Sequence, residues 1–150
     1  MKDKTIAQFL GINKFPYIIK NSNKDVIYHE ALDGEWYKKE FNSNNNEIYY
    51  EDSNLFWIKR EFNSNNNEIY YEDSYGNWAK RKFDLNNNQI YYEQSTGYWW
   101  KREYDSSGKK IYYEDSRGHI SDKRPKVIEL TLEQIAEKFG TDVNLIKIKK

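Results

Sequence analysis

The chain has no cysteine. That excludes disulfides, thiol catalysis and thiolate metal sites, and it fits a reducing cytoplasm as the expected compartment. Histidine is scarce as well, with His29 and His119 the only two. No metal-ligand spacing, glycine-rich phosphate loop or nucleophile elbow occurs. No catalytic, cofactor-binding or metal-binding residue is therefore expected, and the chain reads as a non-enzyme. Net charge is absent too, because 24 Lys and Arg balance 24 Asp and Glu. No overall field draws the chain to nucleic acid or to an acidic membrane, and the same balance argues against an acidic mimic of DNA. No apolar run is long enough to span a bilayer, and the opening MKDKTIAQFLGINKF lacks a signal-peptide pattern. Hydrophobic residues make up 37% of the chain, which is low for a thick globular core.

What the chain does have is rings. Aromatics are 17% of it, with 14 Tyr among them. Many amphipathic rings and little aliphatic content suit a thin structure whose sheet faces are covered by aromatic side chains. The rings come in a repeat. The string FNSNNNEIYYEDS occupies residues 41–53 and again 62–74, 21 residues later. That period divides the middle of the chain, without insertions, into units 20–40, 41–61, 62–82, 83–103 and 104–124. Ile27, Ile48, Ile69, Ile90 and Ile111 share one position in the units, and Tyr28, Tyr49, Tyr70, Tyr91 and Tyr112 the next. Glu30, Glu51, Glu72, Glu93 and Glu114 form a third column. A fourth holds Trp36, Trp57, Trp78 and Trp99, then Ile120.

Each unit predicts two short strands, x-I-Y-Y-E and W-x-K-R-E-F, bounded by turn residues. Between them lies D-S-x-G, with Gly34, Gly76, Gly97 and Gly118 where positive φ is cheap. Leu55 breaks that column, so either it is strained or Asn54 takes the left-handed role. In the other turn Gly108 stands where Asn45, Asn66 and Asn87 stand, which marks a second positive-φ position. Stacked hairpins predict one twisted antiparallel meander, flat or curled into an open barrel, each unit advancing the sheet by roughly 9.6 Å. Alternation places Ile48 with Tyr50 on one face and Tyr49 with Glu51 on the other. It likewise groups Trp57, Lys59 and Glu61 against Ile58, Arg60 and Phe62.

The ends differ from the repeats. TIAQFLGI (5–12) and QIAEKFGT (134–141) each predict a short helix closed by Gly, the second with a capping box from Thr131 to Gln134. A β-branched stretch follows each, Tyr17-Ile18-Ile19 and Leu145-Ile146-Lys147-Ile148. The expected organisation is a helix–strand cap over 1–19, five hairpin repeats over 20–124, and a strand–helix–strand cap over 125–150, covering the ends of the array. LTLEQIAEKFG (130–140) also looks like the first helix of a helix-turn-helix, which would need a full recognition helix after it.

The units I-Y-Y-E-D-S-x-G-x-W-x-K-R-E-[FY]-D resemble tandem repeats in small proteins of tailed phages and prophages. The closing KVIELTLEQIAEKFGTDVNLIKIKK is similar to the C-terminal segment of such proteins. YDSSGKKIYYEDSRG is more distantly similar to the tyrosine–aspartate repeats of RHS-type shells. The phage resemblance implies an accessory or host-interaction protein acting in the host cell cytoplasm. By association it also implies an inhibitor of host defence, of the anti-CRISPR type. It supplies no active site to carry over.

The reading is a binding module without a cofactor, its partner a host protein or ribonucleoprotein. Two alternatives stand beside it. One is nucleic-acid binding through the basic column Lys39, Arg60, Arg81, Arg102 and Lys123 with its interleaved rings, or through the C-terminal helix. The other is a carbohydrate-binding repeat. No membrane partner is expected, while self-association through the sheet edge or face is open. Identical columns cannot distinguish positions, so specificity is expected where the repeats differ. The candidate binding residues are Phe56, Ile58, Arg60, Asn77, Arg81, Tyr98, Trp100 and Arg102, centred on the boundary between the third and fourth units. His29 sits in a tyrosine column and reads as a packing variant, and the repeated Glu reads as a partner for Lys or Arg rather than a catalyst.

Overall fold

The structure, a computed structural model, describes residues 4–126 and 129–147. A short helix α1 (Ile6–Leu10) leads into eleven strands: β1 (Tyr17–Lys20), β2 (Val26–Glu30), β3 (Trp36–Phe41), β4 (Glu47–Asp52), β5 (Trp57–Phe62), β6 (Glu68–Asp73), β7 (Trp78–Phe83), β8 (Gln89–Gln94), β9 (Trp99–Tyr104), β10 (Lys110–Asp115) and β11 (Ile120–Asp122). Helix α2 (Leu132–Phe139) follows. The strands form one antiparallel sheet in strict chain order, with β1 and β11 at its two edges. The sheet is therefore open and does not close into a barrel.

Both kinds of turn share one geometry. In the D-S-x-G turn the Leu55 amide donates to the Asp52 carbonyl (3.0 Å) and the Asp52 amide to the Phe56 carbonyl (3.0 Å). In the Asn run the Asn66 amide donates to Asn63 and the Asn63 amide to Asn67, also at 3.0 Å. Each is a three-residue hairpin loop whose last residue is left-handed. The leading side chain holds the loop, as Asp52 Oδ1 accepts the amides of Asn54 (2.8 Å) and Phe56 (3.3 Å). Leu55 itself takes the left-handed position, at φ 65°, so Asn54 does not relieve it.

The recurrent isoleucine has an unexpected role. Glu40 pairs with Tyr49 and the next residue, Phe41, with Glu47, which leaves Ile48 without a partner. The same slip occurs at Ile27, Ile69, Ile90 and Ile111. Each isoleucine is the extra residue of a β-bulge. The expected grouping of Ile48 with Tyr50 is thereby corrected, since alternation assumes one-to-one pairing. Ile48 lines the same shallow groove as Tyr49 and Lys59, and Glu47 moves to the side of Tyr50, where it meets Arg60.

The bulge sorts the strands into two faces. One carries Tyr49, Glu51, Trp57 and Lys59 and is called here the tryptophan face. The other carries Tyr50, Asp52, Ile58 and Arg60 and is called the arginine face. The repeated I-Y-Y-E-D can now be explained residue by residue. Ile makes the bulge. The first Tyr reaches along its own strand to the Glu two residues on, as Tyr49 does to Glu51 at 2.8 Å. The second Tyr reaches on the opposite face to the Asp two residues on, as Tyr71 does to Asp73 at 2.9 Å.

Among the described residues no second layer covers the sheet. Among the described residues the buried hydrophobic ones are Ala7, Tyr28, Ala79, Trp100 and Ala136. Cross-strand pairs on both faces take the place of a core, each worth about 0.2–1 kcal/mol. On the tryptophan face Lys59, Lys80 and Lys101 lie 4.9, 4.9 and 5.0 Å over the rings of Trp57, Trp78 and Trp99, each adding about 0.5–1 kcal/mol.

At the N-terminus α1 is fastened through Glu30, whose side chain is 1% exposed. Its carboxylate accepts from Thr5 Oγ1 (2.5 Å), the Ala7 amide (3.1 Å) and Tyr28 Oη (2.8 Å). Burial pushes the Glu30 carboxyl up, but these donors outweigh it and hold it below the usual range. Glu30 thus departs from the expected ladder role of its column. Thr5 and Gln8 form a capping box like that of Thr131 and Gln134. At the C-terminus α2 packs against a 3-10 turn, Val143–Leu145. The strand expected over Leu145–Ile148 is not found among the described residues, and Ile148 lies outside them. Nor does a second full helix follow Gly140 there, as a helix-turn-helix requires.

Candidate functional site on the arginine face

All eight candidate residues fall on the arginine face or at its rim. Ile58 pairs with Tyr50 and Asp73, Arg60 with Tyr71, Arg81 with Tyr92, Trp100 with Tyr92 and Asp115, and Arg102 with Tyr113. The Phe56 ring lies 6.2 Å from Tyr50. Asn77 donates to Asp73 through its amide and its side chain, and Tyr98 Oη lies 3.4 Å from Tyr113 Oη.

Across the middle of this face runs a line of rings. His29 stacks on Tyr37 at 5.2 Å and Tyr37 on Tyr50 at 6.1 Å. Tyr92 stacks on Trp100 at 6.0 Å. The rings lie nearly parallel and face one another, so their edges point to solvent. Guanidinium groups cover more of their area, with Arg60 at 6.0 Å from Tyr71, Arg81 at 5.6 Å from Tyr92 and Arg102 at 3.8 Å from Trp100. Trp100, expected as a contact anchor, is 9% exposed between Tyr92 and Arg102.

Two places in the line lack a ring, at Ile58 between Tyr50 and Tyr71 and at Ala79 between Tyr71 and Tyr92, and the second also lacks a bulky side chain. Ala79 stands in the column that holds Tyr37, Ile58 and Trp100. The result is a hollow of about 470 Å³ bounded by Tyr71, Tyr92, Asn77, Gln94, Arg60 and Arg81. A depression elsewhere on this face, beside Tyr37 and Tyr50, measures about 300 Å³. The hollow lies at the junction of the third and fourth units, over Ala79 rather than over Trp100.

The charges on the face form a ladder that stops. Glu47 bridges Lys39 (2.9 Å) and Arg60 (2.8 Å). Glu68 bridges Arg60 (3.6 Å) and Arg81 (2.5 Å). The next residues in that acidic column are Gln89 and Lys110. A second acidic column runs Asp52, Asp73, Gln94, Asp115. Asp115 accepts from Tyr113 Oη, the His119 ring and the amides of Arg117 and His119. Burial opposes its ionisation, but these donors outweigh that and bring the Asp115 carboxyl down to about 2. On the tryptophan face burial and the bond to Glu51 push the Tyr49 hydroxyl up to about 12.

Sequence reasoning singled out the basic column of this face but passed over Gln89, Gln94 and Lys110. Reading the acidic columns position by position, as was done for the basic one, would have found them. Tyr75, exposed at a turn tip 5.4 Å from Phe56, was also missed. Its turn position gave no signal. Among the described residues no three His, Asp or Glu side chains are grouped to hold a metal, and no helix is long and apolar enough to cross a membrane.

No family model matches the chain, and no curated protein matches it. Among solved structures it is similar to the crystal structure of TcdB2-TccC3-TEV, at 8% identity and a TM-score of 0.49, over 77% of this chain and 6% of that one. The chain thus spans a small part of that protein's length, and a likeness of this size carries no argument about function.

Proposed function

We propose that the chain is a non-enzymatic binding module that contacts a protein partner through its arginine face. One observation carries the reading, the missing rung over Ala79. Ala79 pairs with Tyr71 directly and stands diagonally from Tyr92, the placement that Tyr37 has between His29 and Tyr50. Filled rungs on this face lie 5.2 to 6.1 Å apart, so an aromatic side chain of a partner fits the vacancy as the chain's own rings fit the others. Asn77, Gln94 and the two guanidinium groups at its rim supply the polar surround typical of a buried aromatic anchor. The setting comes from the sequence resemblance. The chain is read as an accessory protein of a tailed phage or prophage, its partner a host protein or a protein–nucleic-acid assembly, and inhibition of a host defence complex of the anti-CRISPR type its activity.

Binding of single-stranded nucleic acid is less favoured. It needs successive free ring faces as stacking platforms, and here His29, Tyr37, Tyr50, Tyr92 and Trp100 stack on one another while guanidinium groups lie over Tyr71, Tyr92 and Trp100. Sugar stacking meets the same obstacle.

The test is Ala79→Trp, which closes the vacancy with the residue the repeat already carries at position 100. Partners captured from host lysate by the unaltered chain are compared with those captured by the variant. The variant is expected to keep its circular dichroism and melting temperature and to bind the captured partner at least tenfold more weakly. Unchanged affinity in a folded Ala79→Trp chain would overturn the reading.

A further inference from the structure

The charge ladder of the arginine face changes sign along the sheet. Glu47 and Glu68 each sit between two cations of the basic column, and each bridges both neighbours. By the same register Gln89 lies between Arg81 and Arg102, and Lys110 lies between Arg102 and Lys123. The Lys123 amide donates to the Ile111 carbonyl at 2.7 Å, which continues the pairing one residue beyond β11 and sets Lys123 beside Lys110. Where two earlier units place a carboxylate, this one places a third cation. Asp115, an acid of the same face, has both oxygens occupied by four donors. Arg102 lies over the Trp100 and Tyr113 rings, and its Nε is buried without a hydrogen-bond partner. Neutral overall, the chain therefore sets Arg102, Lys110 and Lys123 on one end of one face without an ion pair among the described residues, beside Arg81, which shares Glu68 with Arg60.

We propose that this strip, Arg81, Arg102, Lys110 and Lys123, binds an acidic segment of a protein in extended conformation. The spacing argues for the form of the segment. Arg81 and Trp100 both pair with Tyr92, and Arg102 and Ser121 both pair with Tyr113, so each cation of the column lies two strands across and two residues along from the last, roughly 12 Å away. A segment in β-extended conformation rises about 3.3 Å per residue and presents alternate side chains on one side. Acidic residues at every fourth position, roughly 13 Å apart, therefore reach successive cations of the column, with Lys110 between two of them. Carboxylates are favoured over a phosphate backbone because Tyr92 and Trp100 stack on each other and Arg102 lies over Trp100 and Tyr113, which leaves nucleobases few ring faces beside the strip.

The proposal rests on the arginine face being the contact surface, but it stands on charge and not on the hollow. The probe is a fluorescein-labelled peptide of four Glu-Ser-Thr-Ser repeats, titrated by anisotropy into the full chain at low salt. A thymidine oligonucleotide of equal charge is run in parallel. The peptide is expected to bind in a salt-dependent manner. Lys110→Glu and Gln89→Glu are each expected to weaken it at least tenfold. Both restore the side chain that Glu47 and Glu68 already carry, so the fold accommodates them, and their melting temperatures are expected to hold or rise. Lys59→Glu, on the tryptophan face, is expected to leave peptide affinity within twofold. Ala79→Trp is also expected to leave the peptide bound, so a failure of the hollow and a failure of the strip are read separately. Absence of peptide binding, or Lys110→Glu without effect, would overturn the assignment. Tighter binding of the oligonucleotide than of the peptide would overturn it in favour of a nucleic-acid surface.

Discussion

Replacing Leu55 by Gly should stabilise the protein. Leu55 occupies a left-handed backbone position at φ 65°, while Gly76 and Gly97 hold the equivalent turn position at φ 81°. An L-residue with a branched side chain costs about 1–2 kcal/mol there. Against that stands the greater freedom glycine brings to the unfolded chain, about 0.5–1 kcal/mol. Loss of buried apolar area adds little, since the leucine is 76% exposed. The net gain is about 0.5–1 kcal/mol, which for a chain of this size raises the melting temperature by about 1–4 °C. Circular dichroism at 218 nm or calorimetry would resolve it. The repeat supplies a mirror experiment. Gly76→Leu changes the same position of the next unit in the opposite sense, and a Cβ at Gly76 meets nothing within 4 Å. The two substitutions should shift stability by similar amounts with opposite signs, and their combination should return it near its starting point. A fall in melting temperature for Leu55→Gly would refute the strain argument and show that the leucine makes a contact that compensates its backbone.

Three further outcomes are expected. Glu30→Ala removes the acceptor shared by Thr5, Ala7 and Tyr28; hydrogen bonds to a charged group count about 1.5–3 kcal/mol, so a loss of about 2 kcal/mol and faster amide exchange in α1 should follow, against under 1 kcal/mol for Glu51→Gln, whose partner Lys38 is exposed. The Asp115 carboxyl is held at about 2 in the fold and ionises near 3.9 when unfolded, so its contribution is complete above about pH 4 and is lost as pH falls toward 2; Asp115→Asn should flatten the melting temperature between pH 4 and 2, and an unchanged acid limb would contradict this. Deleting residues 41–61 joins Glu40 to Phe62 across a junction identical to the native one and puts Lys39 in the place of Arg60 at the hollow, so a folded nine-stranded sheet that captures the partner more weakly is expected, whereas deleting 62–82 should give a folded sheet that does not capture it, because Ala79 goes with it.

The meander was legible because two signals agreed. The period has no insertions, and every unit carries turn residues at fixed offsets. The substitution of Gly108 for an asparagine exposed the left-handed position in the second turn, where φ is 62° at Asn45 and Asn66. The bulge was not legible. Nothing in I-Y-Y-E says that Ile48 faces no partner, and alternation misplaces it by one residue. The burial of Trp100 was hidden as well, because it depends on Arg102 folding across the ring at 3.8 Å. The C-terminal misreading has a different cause. Leu145 to Ile148 alternates as a strand does, but Asp142 caps the backbone three residues earlier, its carboxylate accepting the Asn144 amide at 2.8 Å. A local cap of this kind competes with extended structure where no strand edge is at hand.

Those successes and failures divide along one line. Columns that do not vary build the sheet, since bulge, clamp and turn must recur for strands to stack in register. Columns that vary are free of that duty, and on the arginine face they vary in two ways. The column through Tyr37, Ile58, Ala79 and Trp100 changes in size, and at Ala79 it opens the hollow. The column through Glu47, Glu68, Gln89 and Lys110 changes in charge, and past Arg81 it leaves cations unpaired. Neither change helps the sheet. A ring in place of Ala79 would add stacking of about 0.5–1.5 kcal/mol, and a carboxylate in place of Lys110 would extend the ion-pair ladder. Both departures forgo stability at neighbouring units of the same face, which is where a binding surface laid over a repeating scaffold would place them.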